Sequence, residues 1–328
     1  MRVVGIDIGG TRTRALLDED GRTIASSSGP SASLTAAGRR AAAHVLDDVV
    51  SELGEHGELP VLDALCVGTS GSGAELEVEW LEASLRAVLA VHAAPGARNG
   101  DVPMVVVNDA RLVLAAHELE SGIALVAGTG SIAIGVLTNR EEQAGGWGYL
   151  VGDEGSGYWV VREAIRELCR RHERHEPLGV LGDVFDGTSV PELLARFHEE
   201  PAPGHWAALA PAVLDAADPV ATSICASAAR HLAELVASVA TSLVHPAPVP
   251  IVVAGGLGSG HPRLSVATVE SIRGLMDEPS VSVATRPSVD GAVRLARALA
   301  RELSGSPSPR VAPAGSPPGA RLLETPPI

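Results

Sequence analysis

One local pattern occurs twice in this chain, and it constrains the fold more than any other feature. Residues 3–21, VVGIDIGGTRTRALLDEDG, read as an apolar strand, a turn of glycine, threonine and arginine, a second strand and a charged turn. Residues 122–141, GIALVAGTGSIAIGVLTNRE, repeat that order with glycine, threonine and serine in the turn. We therefore interpret the chain as two structurally related halves, each beginning with a β-hairpin, with a cleft between them.

Strands alternate with helical segments through most of the chain, which indicates an α/β fold. Buried strands are predicted at LDALCVG, PMVVVND and VPIVVAG. The predicted helices are 35–56, 75–92, a short one after residue 109, 158–175, 190–200, 219–245 and 289–303. This order favours mainly parallel sheets that are covered by helices on both faces.

The length of 328 residues predicts two domains. We place an N-terminal domain at 1–115, completed by the helix at 289–303, and a C-terminal domain at 116–288. The remaining segment, 304–328, is rich in proline, serine and glycine, which is typical of a disordered tail.

Composition argues against several classes of protein. The net charge of −15 disfavours nucleic acid or an anionic membrane as a partner. The chain has no lysine, so it has no Walker-type phosphate loop. The three cysteines, Cys66, Cys169 and Cys225, form no CxxC pair, which is typical of a protein in a reducing compartment. The first residues lack a signal-peptide pattern, and no apolar run reaches the roughly 20 residues of a membrane span. We expect a cytoplasmic protein.

Both glycine turns contain groups suited to an anion, because glycine lets backbone N–H groups approach closely and threonine adds a hydroxyl. These groups are Gly9, Gly10 and Thr11 in the first turn, and Gly128, Thr129 and Gly130 in the second. Asp7 ends a buried strand, where a carboxylate needs a partner, water or a metal. Either turn alone could be an ordinary hairpin, but two at matching positions favour a polyphosphate.

Asn108 and Asp109 follow the apolar strand of PMVVVND. A carboxylate there could act as a general base, or either residue could cap the next helix, or each could have one of these roles. A third glycine turn, GGLGSG at 255–260, reads by itself as an ordinary strand-to-helix turn. The segment GGWGYLVGDEGSGYW combines many glycines with both tyrosines and two of the four tryptophans, which is unsuited to a core strand or helix.

Together these segments resemble an ASKHA-type sugar kinase of the BadF/BadG/BcrA/BcrD family, close to its N-acetylglucosamine kinases. The segments are DIGGTRTRALL, AGTGSIAIG, VVAGGLG, GGWGYLVGDEGSGYW and RPSVDGAVRLA. The resemblance implies two ribonuclease H-like domains of the actin, hexokinase and Hsp70 type, with a nucleotide cleft between them. It also implies the cofactors ATP and Mg²⁺, a small-molecule sugar as the substrate, and a homodimer.

Residue roles follow from the same resemblance. They are Mg²⁺ at Asp7; ATP phosphates at Gly9, Gly10, Thr11, Gly128, Thr129 and Gly130; adenosine near Gly255 and Gly256; a catalytic base at Asp109; and a sugar site of Asn108, Asp109, Ser131, Ile132, Gly146, Trp147, Gly148 and Asp153. For the sugar site we expect an aromatic ring over the sugar, Asp153 accepting from its hydroxyls, and glycine amides reaching its other oxygens. Tyr158 and Trp159 are expected to be structural, filling a gap between the domains.

One position departs from the family. Where the family has a sugar-binding asparagine, this chain has Ser31 or Ser33, in SGPSASLT. The predicted reaction is phosphorylation of the 6-hydroxyl of an amino sugar, with N-acetylglucosamine as the first candidate. The alternatives are a kinase for N-acetylmuramic acid, glucosamine or glucose, an ATPase that activates a dehydratase, and a non-catalytic sugar sensor. The scattered cysteines speak against the activator, which needs an iron–sulfur cluster.

Overall fold

The structure is a computed structural model that describes residues 1–69, 75–137, 140–200, 202–243 and 249–305. Most of the predicted tail, from residue 306 onward, lies outside the described residues. The strands are β1 (Arg2–Ile8), β2 (Arg12–Glu19), β3 (Arg22–Pro30), β4 (Ala64–Thr69), β5 (Met104–Asn108), β6 (Gly122–Ala127), β7 (Ser131–Leu137), β8 (Arg140–Gly145), β9 (Pro250–Ala254) and β10 (Ser280–Val283).

Helices surround these strands. They are α1 (Leu34–Ser51), α2 (Glu75–Val91), α3 (Asp109–Ala116), α4 (Gly157–Glu173), α5 (Gly179–Asp183), α6 (Val190–Glu199), α7 (Pro203–Ala207), α8 (Ala210–Asp215), α9 (Pro219–Leu243), α10 (Pro262–Leu275) and α11 (Ser288–Leu303). Within the described ranges, no single helix is long and apolar enough to cross a membrane, although the bent pair Pro203–Asp215 and Pro219–Leu243 passes that test of length and composition.

The strands form two five-stranded sheets with the same order. The first is β3-β2-β1-β4-β5 and the second is β8-β7-β6-β9-β10. In each sheet the first three strands along the chain pair antiparallel as a meander. The fourth strand, β4 or β9, pairs parallel with the first strand of that meander, and the fifth, β5 or β10, pairs parallel with the fourth. The predicted α/β class, the internal repeat and the ribonuclease H-like order are confirmed. The expectation of mainly parallel sheets is wrong, because each sheet has two antiparallel and two parallel pairings.

Strand β1, at the centre of the first sheet, is buried on both faces, which explains its nearly continuous apolar run. Its even-numbered residues, Val4, Ile6 and Ile8, belong to the core with α1 and α2. On the other face, Val3 packs with residues of α11. A β-carbon at Gly5 would lie 2.5 Å from the backbone nitrogen of Val293, so α11 lies directly against the strand.

The second sheet packs against α9, and residues of α4 belong to the same core, which is separate from that of the first sheet. Tyr158 and Trp159 are buried in this core, where Tyr158 stacks on Phe197 with ring centroids 5.9 Å apart. Both aromatic residues are structural, as expected, but they fill the interior of the second half and not a gap between the halves.

Several elements differ from the sequence-based expectations. β8, β10, α5, α7, α8 and α10 were not anticipated. The residues of β8, REEQAG, and of β10, SVSV, lie at sheet edges and are mostly exposed or half-buried, so they lack an apolar pattern. Helix α1 has a kink at Gly38, whose φ of 73° lies outside the helical region.

Candidate active site

The cleft side chains lie at the carboxyl ends of parallel strands from both sheets. Asp7 lies near the end of β1, and Asn108 ends β5. The turn after β6 brings Thr129 against Thr11 of the first hairpin, with 2.8 Å between the two hydroxyl oxygens. The two glycine turns, far apart in the sequence, therefore meet as the repeat predicted.

Asp7 is buried, with 7% of its surface exposed, and its carboxylate accepts a hydrogen bond from a distant part of the chain. The hydroxyl of Ser288, the first residue of α11, donates to Asp7 Oδ2 at 2.5 Å. Burial raises the pKa of Asp7, while the Ser288 hydrogen bond and the charge of Arg14 oppose that rise. Arg14 is the residue opposite Asp7 in the β1–β2 pairing.

Asp109 is the first residue of α3, and Asn108 is the N-cap of that helix. The Asn108 side-chain oxygen accepts from the backbone N–H of Ala110 at 3.0 Å, as Asn does at many N-caps. Burial and, second, the charge of Asp7 raise the pKa of Asp109 from 3.8 to about 7. Asn108 therefore has the cap role that the sequence offered for either residue. The pKa of Asp109 is suited to a general base near neutral pH.

The first glycine turn is held from within the same half. The N–H of Gly9 donates to Arg12 O at 3.0 Å, and the hydroxyl of Ser31 donates to Gly9 O at 2.7 Å. The Ser31 oxygen also accepts from the N–H of Ser33 at 3.1 Å. Ser31, one of the two serines predicted in place of the asparagine, thus braces the first glycine turn, and its hydroxyl proton is already donated.

The second glycine turn and the GGLGSG turn form one structure. Ala127 O, just before the second turn, accepts from the N–H groups of Leu257 and Gly258 at 3.0 and 2.8 Å. Gly255 has a φ of +95°, and a β-carbon there would lie 2.3 Å from Ala127 O, so only glycine fits. A β-carbon at Gly128 would lie 4.0 Å from the nitrogen of Gly256, which places the predicted phosphate and adenosine turns side by side.

The glycine-rich segment after β8 is fixed by its own hydrogen bonds. Asp153 is buried, and burial raises the pKa of its carboxyl, while the backbone N–H groups of Ser131 and Gly148 oppose that rise. The N–H of Gly146 donates to Ser131 O at 2.9 Å. The N–H of Gly146 therefore already has an acceptor within the protein, and the sugar-site roles of Gly146 and Gly148 stay predictions.

Other predicted sugar-site residues have mixed environments. The hydroxyl of Ser131 donates to Glu154 O at 2.8 Å, so it braces the same segment. Ile132 is half-buried and lies beside Gly146, where a β-carbon would be 2.8 Å from Ile132 Cδ1. Trp147, in contrast, is 70% exposed and its ring is available to a ligand. This segment thus consists of a rigid backbone that presents one free aromatic ring.

The cleft suits a magnesium-bound polyphosphate. Asp7 and Asp109 are close enough for the charge of one to raise the pKa of the other, and a divalent cation would relieve that repulsion. No group of three or more His, Cys, Asp or Glu side chains in the described part of the chain forms a metal cluster. A cation here would therefore rely on one or two carboxylates and the ligand's phosphates, which is usual for Mg²⁺.

Sequence and structure comparisons agree with this geometry. An N-acetylmuramic acid/N-acetylglucosamine kinase of Clostridium acetobutylicum is 31% identical over 191 residues, which are 56% of this chain and 59% of that relative. An N-acetyl-D-glucosamine kinase of Dictyostelium discoideum is 25% identical over 265 residues, 73% of this chain and 79% of the relative. The match to the first relative thus spans less than two thirds of its length.

A solved structure extends the likeness to the whole fold. A candidate N-acetylglucosamine kinase of Chromobacterium violaceum has a TM-score of 0.66 and 26% identity, and the match covers 90% of this chain and 98% of that chain. The model of the BadF/BadG/BcrA/BcrD ATPase family matches residues 4–293. Because this match includes both halves and the cleft residues between them, the chain belongs to the BadF/BadG/BcrA/BcrD ATPase family.

Proposed function

We propose that this protein is an ATP- and Mg²⁺-dependent kinase that phosphorylates the 6-hydroxyl of an amino sugar. One observation carries the proposal: Asp109, with a pKa of about 7, lies in the same cleft as Asp7 and the paired Thr11–Thr129 turns. A base, a metal-facing carboxylate and two anion-binding turns are the groups that phosphoryl transfer to an alcohol requires.

In the proposed reaction, the Asp109 carboxylate accepts the proton of the sugar hydroxyl. The hydroxyl oxygen bonds to the γ-phosphorus as the bond from that phosphorus to the bridging oxygen of ADP breaks. Thr11, Thr129 and the glycines of their turns hold the phosphates in line. Mg²⁺, when bound beside Asp7, supplies neutralisation of the phosphate charge. Asn108 keeps Asp109 at the start of α3 through its cap.

N-acetylglucosamine is the first candidate for the sugar, because both curated relatives described above act on it by name. The exposed ring of Trp147 is proposed to cover the apolar face of the sugar. Ser31 is proposed to have replaced a sugar contact with support for the phosphate turn, since its hydroxyl donates to Gly9 O. N-acetylmuramic acid, which the Clostridium relative also accepts by name, is the second candidate.

The dehydratase-activating ATPase is the less favoured function. Cys66 and Cys225 are buried, with 0% and 5% of their surface exposed, whereas cysteines that share a cluster between subunits must lie at a surface. Burial also raises the pKa of Cys66 to about 12, so its thiolate, the ligand form, is suppressed.

Coupled measurement of ADP release tests the proposal directly. The protein with Mg·ATP is assayed with N-acetylglucosamine, N-acetylmuramic acid, N-acetylmannosamine, glucosamine, glucose or no sugar. Strong stimulation by one amino sugar, lost on chelation of Mg²⁺ and in Asp109→Asn, supports the proposed reaction. ADP release that no sugar changes would favour an ATPase, and the amino-sugar proposal would be withdrawn.

A further inference from the structure

Ser288 joins two distant parts of the chain at the candidate metal site. Its hydroxyl donates to Asp7 Oδ2 at 2.5 Å, although the two residues are 281 positions apart. A hydrogen bond from a hydroxyl to a carboxylate is among the stronger hydrogen bonds in proteins. This hydroxyl therefore restrains the carboxylate that the family resemblance assigns to Mg²⁺.

The helix that presents Ser288 is held tightly against both elements that position the two cleft carboxylates. A β-carbon at Gly291 would lie 1.9 Å from Leu112 O of α3, and a β-carbon at Gly5 of β1 would lie 2.5 Å from the nitrogen of Val293. Close backbone contact of this kind leaves no room for α11 to shift. Asp109 begins α3 and Asp7 lies in β1. The packing of α11 against both elements therefore restrains the distance between the two carboxylates.

A second contact fixes the chain just before Ser288. Arg286 donates to Ala116 O at 3.2 Å and to a carboxylate oxygen of Glu118 at 3.1 Å, at the far end of α3. The N–H of Thr285 donates to the ring of His117 at 3.1 Å. The start of α11 is thus anchored on both sides of Ser288, so its hydroxyl has a defined position toward Asp7.

We propose that Ser288 is a positioning residue for the metal-bound nucleotide. Its hydroxyl holds Oδ2 of Asp7, and this fixes the carboxylate plane so that Oδ1 is presented to the cation or to a water molecule bound to it. The inference rests on the proposed function, because it assumes that Asp7 faces Mg·ATP. It adds Ser288 of α11 to the metal site, for which the family resemblance implied only Asp7.

Calorimetric titration with ADP separates this role from a merely structural one. The affinity for ADP is measured in excess Mg²⁺ and again in chelator, for the wild type, Ser288→Ala and Ser288→Thr. Loss of a hydrogen bond to a charged group should weaken Mg²⁺-dependent binding on the order of tenfold in Ser288→Ala. Metal-free ADP binding should not change, and Ser288→Thr, which keeps the hydroxyl, should restore most of the loss.

Ser242→Ala is the matched control, because the hydroxyl of this exposed serine near the end of α9 donates to the carbonyl of Ser238, on its own helix. Equal weakening of ADP with and without Mg²⁺ in Ser288→Ala, or no weakening at all, would overturn the proposal. If Ser288→Ala does not fold, Ser288→Cys is measured in its place, since a thiol is a weak donor. If the affinity of the wild type for ADP is the same with and without Mg²⁺, the proposed function itself is refuted, and this inference with it.

Discussion

Replacing Asp109 by asparagine should abolish most activity and also stabilise the folded protein at alkaline pH. Asparagine has nearly the same shape but cannot accept the hydroxyl proton, so kcat should fall by about 10²–10⁴. The stabilisation follows from the pKa, which burial and the charge of Asp7 raise from 3.8 in an ordinary aspartate to about 7. The folded protein then holds a proton that the unfolded chain has released, so the charged carboxylate lowers the free energy of unfolding.

The sign and size of this effect depend on pH. The cost of the charge is nearly absent at pH 4, grows as the pH rises, and is constant above about pH 7. The full difference between the two pKa values corresponds to about 4 kcal/mol. Because Asp109 is partly exposed to solvent, screening reduces this cost, and we expect a gain of about 1–2 kcal/mol for Asp109→Asn at pH 8.

Urea unfolding at pH 8 and near pH 4 measures the stability of each variant, and coupled ADP release with N-acetylglucosamine measures kcat. Asp183→Asn, which changes an exposed aspartate at the end of α5, is the control and should alter neither quantity. Near-normal kcat in Asp109→Asn would remove the general-base role. A variant less stable than the wild type at pH 8 would show that the carboxylate is favourably paired and that the burial argument is wrong.

Three further predictions test other parts of the site. The kcat/KM of the wild type should rise with pH and reach half its maximum near pH 7, because only ionised Asp109 accepts a proton; a flat profile between about pH 6 and 8 would contradict this assignment. Gly255→Ala should lower the free energy of unfolding by about 2–4 kcal/mol in urea, because a β-carbon would lie 2.3 Å from Ala127 O at a φ of +95°. Gly274→Ala, with open space around it, is its control and should not be destabilised. Trp147→Ala should raise KM for the sugar by about tenfold while KM for ATP and the melting temperature stay unchanged, since the ring is 70% exposed; equal effects on both KM values would place the ring elsewhere.

The sequence alone predicted the features that have a local pattern. The two hairpins with glycine turns predicted the repeated sheet order, and the pair Asn108-Asp109 predicted a cap beside a carboxylate. The edge strands β8 and β10 were not predicted, because their polar and half-exposed residues show no apolar alternation. A strand at an edge is defined by its pairing with a neighbour, and single-sequence periodicity does not record that pairing.

The contacts that complete the site were beyond sequence reasoning for a different reason. Ser288 donates to Asp7 from 281 positions away in the sequence, and Ser31, directly after β3, donates to the carbonyl of Gly9, directly after β1. Both serines are ordinary residues in their local context, and only the packing of the chain gives them a partner. The acceptor of the Gly146 amide, Ser131 O, is likewise supplied by the packing of the chain.

The double hydrogen bond to Ala127 O has a consequence for how affinity and motion are related. It joins the turns after β6 and β9 into one unit within the second half, whereas the Thr11–Thr129 contact crosses between the halves. Rotation of one half against the other changes the second contact and leaves the first intact. If ATP binds as proposed, its affinity would divide into a constant share from the second half and a share that depends on the angle between the halves. Under that proposal, opening the cleft would weaken the contacts to the phosphates and leave the predicted adenosine turn unchanged.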